Sequence, residues 1–248
     1  MNIALCSAFR DAASYLPRYL RQVDALGQAL AERGDRFAMV WGEGDSEDKT
    51  LERLIVAAQG IRWPVHRVDC THGGARYGSV VNAERFRQLA QVGRQIFATV
   101  PAGADVVIYV ESDLVWQPET MLGLIEHVKP PAPIIPIEPI YRRAPVVAAV
   151  APMIILQRAG WPRGTWYDTH AFVADGVHFE HRPPWHFRNS GASTMIELET
   201  AGSCLAMRAD YARAAVMDER VLMGMCEQFR EMGGSVWLDL ALPAVIHE

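Results

Sequence analysis

Between Asn2 and Val110, four short apolar runs alternate with longer segments whose apolar residues return every third or fourth position. Nothing else in the chain restricts the fold as strongly. Residues 2–8 (NIALCSA), Arg36–Trp41 (RFAMVW), Val65–Val68 and Val106–Val110 (VVIYV) read as strands, the last being the strongest. Over Tyr15–Arg33, Leu16, Leu20, Val23, Leu26 and Leu30 fall on one helical face, and Gly34 stands at the C-cap position. Helices are also predicted over about Lys49–Gln59 and Val80–Ala98. This β-α-β-α-β-α-β order calls for an α/β fold, a mostly parallel twisted sheet flanked by helices. Ligands in such sheets sit beyond the carboxyl ends of the strands. That rule brings Arg10 and Asp11, Gly42–Asp48 and Glu111–Asp113 to one edge.

The second half is less periodic. A helix is predicted over Pro118–Val128, then a proline-laden stretch (PPAPIIPIEP), a strand-like run Val146–Leu156, a strand over Gly202–Arg208 and a helix over Asp218–Met232. A final extended segment starts at Val236 and ends PAVIHE. Between Gln157 and Thr194, Trp161, Trp166 and Trp185 crowd with His170, His178, His181 and His186 but show no period, so loops and short elements are expected there. The histidines lack HExxH-type spacing, which argues against zinc. The aromatics are either core or a platform for stacking on a sugar or base. No linker separates the halves, so one domain is expected, with a nucleotide half (about 1–116) and an acceptor half (about 117–248).

The composition of the 248 residues, 50% hydrophobic with net charge −5, excludes disorder. The longest uncharged stretch, Ala144–Gln157, contains Pro145 and Pro152 and is shorter than the ~20 apolar residues of a membrane span. The opening MNIALCSAFRDAA has no basic segment ahead of its apolar run and does not read as a secretory leader. Four dispersed cysteines without CxxC spacing fit reduced core residues. A cytoplasmic protein is expected. Lys49 and Lys129 are the only lysines, and no basic run supplies a general grip on nucleic acid.

Three constellations carry chemistry. Glu111-Ser112-Asp113 ends the strongest strand, and two carboxylates so placed repel each other unless a cation or donor lies between them. Mn²⁺ or Mg²⁺ fits, because an open oxygen-ligated site also accepts phosphate oxygens. The same acids serve equally as turn and cap residues before the helix at Pro118. In Gly42–Thr50 (GEGDSEDKT), the glycines permit close backbone approach, and Glu43 can accept hydrogen bonds from a uracil or guanine ring. Ser46 and Asp48 serve equally as helix N-caps. In Gly73–Ser79 with Asn82, Arg76 sits at a loop-to-helix junction suited to phosphate, although the lysine of a P-loop is missing.

Taken together, SAFRDAASYLPRYL after the first strand, GEGDSEDKT, the glycine and arginine loop with Asn82, and VVIYVESD resemble the GT-A glycosyltransferases over nearly the whole chain. GEGDSEDKT is similar to that family's acidic DDGSTDGT turn, with Glu43 at the base-reading position. ESD is similar to its DxD metal motif, with Glu111 replacing the first aspartate. The closing MCEQFREMGGSVWLDLALPAVIHE resembles its last helix, strand and histidine, and WYDTHAF resembles a segment of fungal-type mannosyltransferases. The resemblance implies transfer of a sugar from a UDP- or GDP-linked donor to an acceptor hydroxyl, on a saccharide, lipid-linked glycan, protein or modified nucleobase. It further implies that Ala8, Phe9, Arg10, Asp11 and Glu43 hold base and ribose. Arg76, Asn82, Glu111 and Ser112 would also contact the donor, and Asp113, His247 and Glu111 would hold the metal. Where relatives carry an acidic pair before the closing helix, this chain has Val221 and Leu222, with Asp218 and Glu219 shifted earlier. The candidate catalytic carboxylates are therefore Glu197, Glu199 and Asp218, each of which reads more readily as a solvated surface acid. Two alternatives stay open: a sugar-phosphate nucleotidyltransferase, disfavoured because SAFRDAA has neither glycine nor lysine, and an inactive sugar- or partner-binding module.

Overall fold

The four apolar runs become β1 (Asn2–Phe9), β2 (Arg36–Glu43), β3 (Val65–Asp69) and β4 (Val106–Val110), linked by α1 (Leu16–Glu32), α2 (Thr50–Gly60) and α3 (Ala83–Ala98). The structure, a computed structural model, describes residues 1–78, 81–130, 146–190 and 193–248. The helix start expected at Val80 and nearly all of the proline-laden stretch lie outside them. The chain continues through β5 (Leu114–Val115), α4 (Pro118–Val128), β6 (Val146–Pro152), β7 (Ile154–Leu156), β8 (Thr165–Trp166), β9 (Val173–Ala174) and β10 (Val177–His178). It closes with β11 (Met195–Leu198), β12 (Cys204–Arg208), α5 (Ala209–Ala214), α6 (Leu222–Glu231), β13 (Gly234–Asp239) and β14 (Val245–His247).

The main sheet runs in the order β11-β13-β6-β12-β4-β1-β2-β3. β1 pairs in parallel with β2 on one side and β4 on the other, so the strand order reverses beside β1, the position where α/β sheets open a crevice. β12 runs antiparallel between β4 and β6 and joins the two halves of the chain through one sheet. A smaller sheet, β5-β14-β7-β8, lies beside it. The single strand expected over Val146–Leu156 is in fact two: β6 ends at Pro152, which has no N–H to continue a ladder, and β7 joins the smaller sheet.

α1 buries Leu16, Tyr19, Val23, Leu26 and Leu30, while Leu20 is only half-buried. Tyr19 takes its place because its ring packs edge-on against Phe9 at 5.0 Å, with Trp41 completing the cluster. The Tyr19 hydroxyl donates to Ser7 Oγ (3.0 Å), which donates to the Val110 carbonyl (2.7 Å). This relay ties α1, β1 and the end of β4 together under the crevice. α6 starts at Leu222 rather than at Asp218 because Val221 adopts φ 56°, which a helix cannot continue through. All four cysteines are free and buried. Among the described residues, no helix is long and apolar enough to cross a membrane.

Gly44, just past β2, lies against the backbone between β3 and α3. A Cβ there would fall 2.3 Å from the Cys70 carbonyl carbon, backbone that cannot swing aside. Gly44→Ala is expected to cost about 1–3 kcal/mol, read by chemical denaturation.

Candidate active site

β4 runs out of the sheet at Val110, and Glu111, Ser112 and Asp113 turn over its edge. The Glu111 N–H donates to the Ser203 carbonyl at the start of β12 (3.0 Å). β5 then pairs with β14, setting Leu114 opposite His247. That pairing carries His247 to Asp113, with Nε2 3.2 Å from Oδ2. Arg18 of α1 braces the junction, donating to the Asp113 carbonyl (2.7 Å) and pairing with Glu248. The Tyr167 ring lies flat on the His247 ring, centroids 3.8 Å apart. Asp113 Oδ1 and His247 Nδ1 are buried without hydrogen-bond partners.

The crevice above has two lobes. The first, about 310 Å³, is lined by Ala8, Phe9, Arg10, Asp11, Arg76, Glu111, Ser112 and Asp113 among others. The second, about 220 Å³, includes Phe86, Asp168, His170, Gly202, Ser203 and Val221. Arg85, Leu89, Tyr109, Glu111 and Tyr167 belong to both. Three loops are cross-braced around the first lobe. Asp11 accepts from the Glu47 N–H (2.8 Å) and pairs with Arg76 (3.1 Å). Asp48 accepts from the Ala13 N–H, Arg10 donates to the Gly74 carbonyl, and Asp45 accepts from the His72 and Gly73 N–H groups. Burial, reinforced by the charges of Asp113 and Asp168 and opposed by Arg85 and the Ser203 hydroxyl, pushes the Glu111 carboxyl up to about 8.

The expected site residues divide. Ala8, Phe9, Arg10, Asp11, Arg76, Glu111, Ser112 and Asp113 meet in the first lobe, with His247 against Asp113. Glu43 is buried at the end of β2 and lines a neighbouring hollow with Trp41, Leu54, Arg67 and Thr71; its Oε1 has no partner. Asn82 caps α3, its side chain accepting from the Glu84 and Arg85 N–H groups. Glu197, Glu199 and Asp218 line neither lobe. Glu197 is exposed on edge strand β11, four strands from β4 and so roughly 19 Å away at ~4.8 Å per strand. Glu199 accepts from the Gly176 N–H, and Asp218 accepts from the Arg220 N–H beneath α6. The carboxylate that does line the second lobe is Asp168, in WYDTHAF. In the sequence that segment stands out for its aromatic rings, and no local signal marks its aspartate.

Among the described residues, no three His, Cys, Asp or Glu side chains gather into a group that could hold a metal ion unaided. A hard divalent ion bound to phosphates needs only one or two protein ligands, with waters and phosphate oxygens completing the shell. The Asp113–His247 pair suits that role: neighbouring ligands on an octahedral ion at ~2.1 Å stand ~3.0 Å apart. The unpartnered Asp113 Oδ1 is a second free acceptor there. The residues present fit Mn²⁺ or Mg²⁺.

No protein-family model matches the chain, and no curated protein matches it in sequence. Solved structures do match. The fragment 1–349 of S. aureus TarS aligns over 99% of this chain and 60% of its own, at TM-score 0.52 and 13% identity. A mannosyltransferase from Pyrobaculum calidifontis, PcManGT, aligns over 98% of this chain and 56% of its own, at TM-score 0.55 and 10% identity. The chain has a GT-A-like glycosyltransferase fold. It spans less than two thirds of the length of either structure. TarS has been crystallised with UDP-GlcNAc, and PcManGT with GDP-Man and Mn²⁺.

A carboxyl held above its ordinary 4.5 stabilises the folded state through the proton it keeps. That stability is fully present below pH 4.5 and lost as pH climbs through about 8. In metal-free protein, Tm of Glu111→Gln relative to the unsubstituted chain is therefore expected to rise steadily between pH 5 and pH 8. A constant difference across that range would show that Glu111 titrates normally.

Proposed function

We propose that this protein is a glycosyltransferase that moves a sugar from a nucleoside-diphosphate donor to an acceptor hydroxyl, with Mn²⁺ or Mg²⁺ as cofactor. The observation that carries this reading is Asp113 in the wall of a crevice at the reversal point of the sheet, with His247 Nε2 3.2 Å from its carboxylate. The donor complexes of structures sharing the fold, UDP-GlcNAc in one and GDP-Man with Mn²⁺ in another, support it.

The first lobe takes the donor. Ala8, Phe9, Arg10 and Asp11 follow β1 directly and offer backbone and side-chain polar groups to base and ribose. Glu43 serves the base if the ring reaches the neighbouring hollow. Arg76, exposed and paired with Asp11 at 3.1 Å, offers the remaining donors of its planar fork to a phosphate. Asp113 and His247 hold the metal, with Glu111 and Ser112 alongside. When bound, the ion offsets negative charge on the departing diphosphate. Asn82 acts at one remove, fixing the start of α3 and so the placement of Arg85 and Leu89. The second lobe remains for the acceptor, and the lobes meet at Glu111 and Tyr109.

UDP or GDP together with Mn²⁺, at about 100 times Kd, is expected to raise Tm by about 5–10 °C, and neither component alone should do so. Asp113→Ala should abolish that joint shift and lower transfer from UDP-GlcNAc or GDP-Man by about 100-fold or more. An unchanged shift in Asp113→Ala would remove the metal site, and release of pyrophosphate from a nucleoside triphosphate would favour a nucleotidyltransferase.

A further inference from the structure

The second lobe contains two acids among the described residues that line it, Glu111 and Asp168. Glu111 belongs to both lobes, whereas Asp168 faces the second alone. Its carboxylate is held in place: Oδ1 accepts from the Ala171 N–H (3.0 Å) and Oδ2 from the Ser203 hydroxyl (2.9 Å). A carboxylate offers about four acceptor positions, so each oxygen keeps one for a ligand. The surrounding backbone is shaped around it. A Cβ on Gly202 would fall 2.7 Å from Asp168 Oδ2 and 2.7 Å from the Ala171 Cβ, so a larger residue there would displace the loop that carries Asp168. Ser203, which donates to it, adopts the left-handed φ of 58°. Nearby, the Phe86 and His170 rings lie parallel at 5.7 Å. Flat rings beside a fixed carboxylate match a sugar, which presents C–H groups on its faces and hydroxyls at its rim.

We propose that Asp168 is the catalytic carboxylate of the second lobe: it engages the attacking hydroxyl of a saccharide-like acceptor and receives its proton. This rests on the glycosyltransferase reading above. In the step, the acceptor oxygen forms a bond to the anomeric carbon. The bond from that carbon to the diphosphate oxygen breaks, its electron pair leaves with the nucleoside diphosphate, and the hydroxyl proton passes to Asp168. General-base help of this kind contributes about 10²–10⁴-fold.

The test uses UDP-GlcNAc and GDP-Man as donors with Mn²⁺, and methyl glycosides of mannose, glucose, galactose and N-acetylglucosamine as acceptors. At least one glycoside should be accepted. Asp168→Asn, which keeps the acceptor oxygen for Ala171, should lower kcat by about 100-fold or more while leaving donor KM and the Tm shift with nucleotide plus Mn²⁺ unchanged. Asp168→Glu should recover part of the loss. If Asp168→Asn does not fold, Ser203→Ala, which removes one of the two bonds holding Asp168, should lower kcat by about 10-fold with the same nucleotide shift. Turnover of Asp168→Asn, or of Ser203→Ala where it stands in, within threefold of the unsubstituted protein would overturn the assignment. So would refusal of every glycoside by a protein that binds nucleotide and Mn²⁺. Absence of any nucleotide shift in the unsubstituted protein is a separate result, and would defeat the glycosyltransferase reading itself.

Discussion

Two parallel strands paired side by side must finish at the same edge of their sheet, and β1 and β4 are such a pair. That constraint places the acids of the first lobe. β1 delivers Arg10 and Asp11, β4 delivers Glu111 and Asp113, and the crevice opens where the helix layers diverge on either side. The Tyr19–Ser7–Val110 relay makes the arrangement stiff, because each buried hydroxyl is satisfied only if α1, β1 and β4 keep their spacing.

A parallel sheet of apolar strands also concentrates charge at its ends. Strands buried on both faces are near-continuous apolar runs, so their carboxylates collect where the chain emerges. Here Glu111, Asp113 and Asp168 crowd one rim, and burial makes their mutual repulsion count. One consequence is a Glu111 that holds its proton near neutrality. Another is a rim that a divalent ion would stabilise. Arg85 and the Ser203 hydroxyl supply partial relief at Glu111, while His247 faces Asp113 and Arg18 anchors the Asp113 carbonyl and pairs with Glu248.

Backbone conformations that are costly for side-chain-bearing residues gather at this rim. Asp11, Ser203 and Val221 all have left-handed φ, and all line the crevice. For a β-branched residue such as Val221 this is a strained position, of the kind that persists when surrounding packing fixes it and that clusters at functional sites. The two lobes thus differ in construction. The first is made of loops braced to one another by Asp11, Asp45 and Asp48, and the second is a close fit of glycine, serine and aspartate backbone.

The first half of the fold was legible in the sequence because its signals are local. VVIYV and the Leu16–Leu30 face specify a strand and a helix without reference to anything distant, and their alternation specifies a parallel sheet with its ligand edge. Asp113 was legible for the same reason, as an acid at the end of the most apolar strand. Tertiary structure alone decided the rest. In the sequence, only the family resemblance links His247 to Asp113; it lies far along the chain, and the pairing of β14 with β5 is what makes the two neighbours. Glu197 and Asp168 look alike as isolated acids. Strand order sends Glu197 to the exposed edge β11, while Gly202 leaves room for Asp168 beside Glu111. A sequence records which groups can bear charge or pack, but which of them share a cavity depends on long-range pairing, whose register is set by the whole sheet rather than by any segment of it.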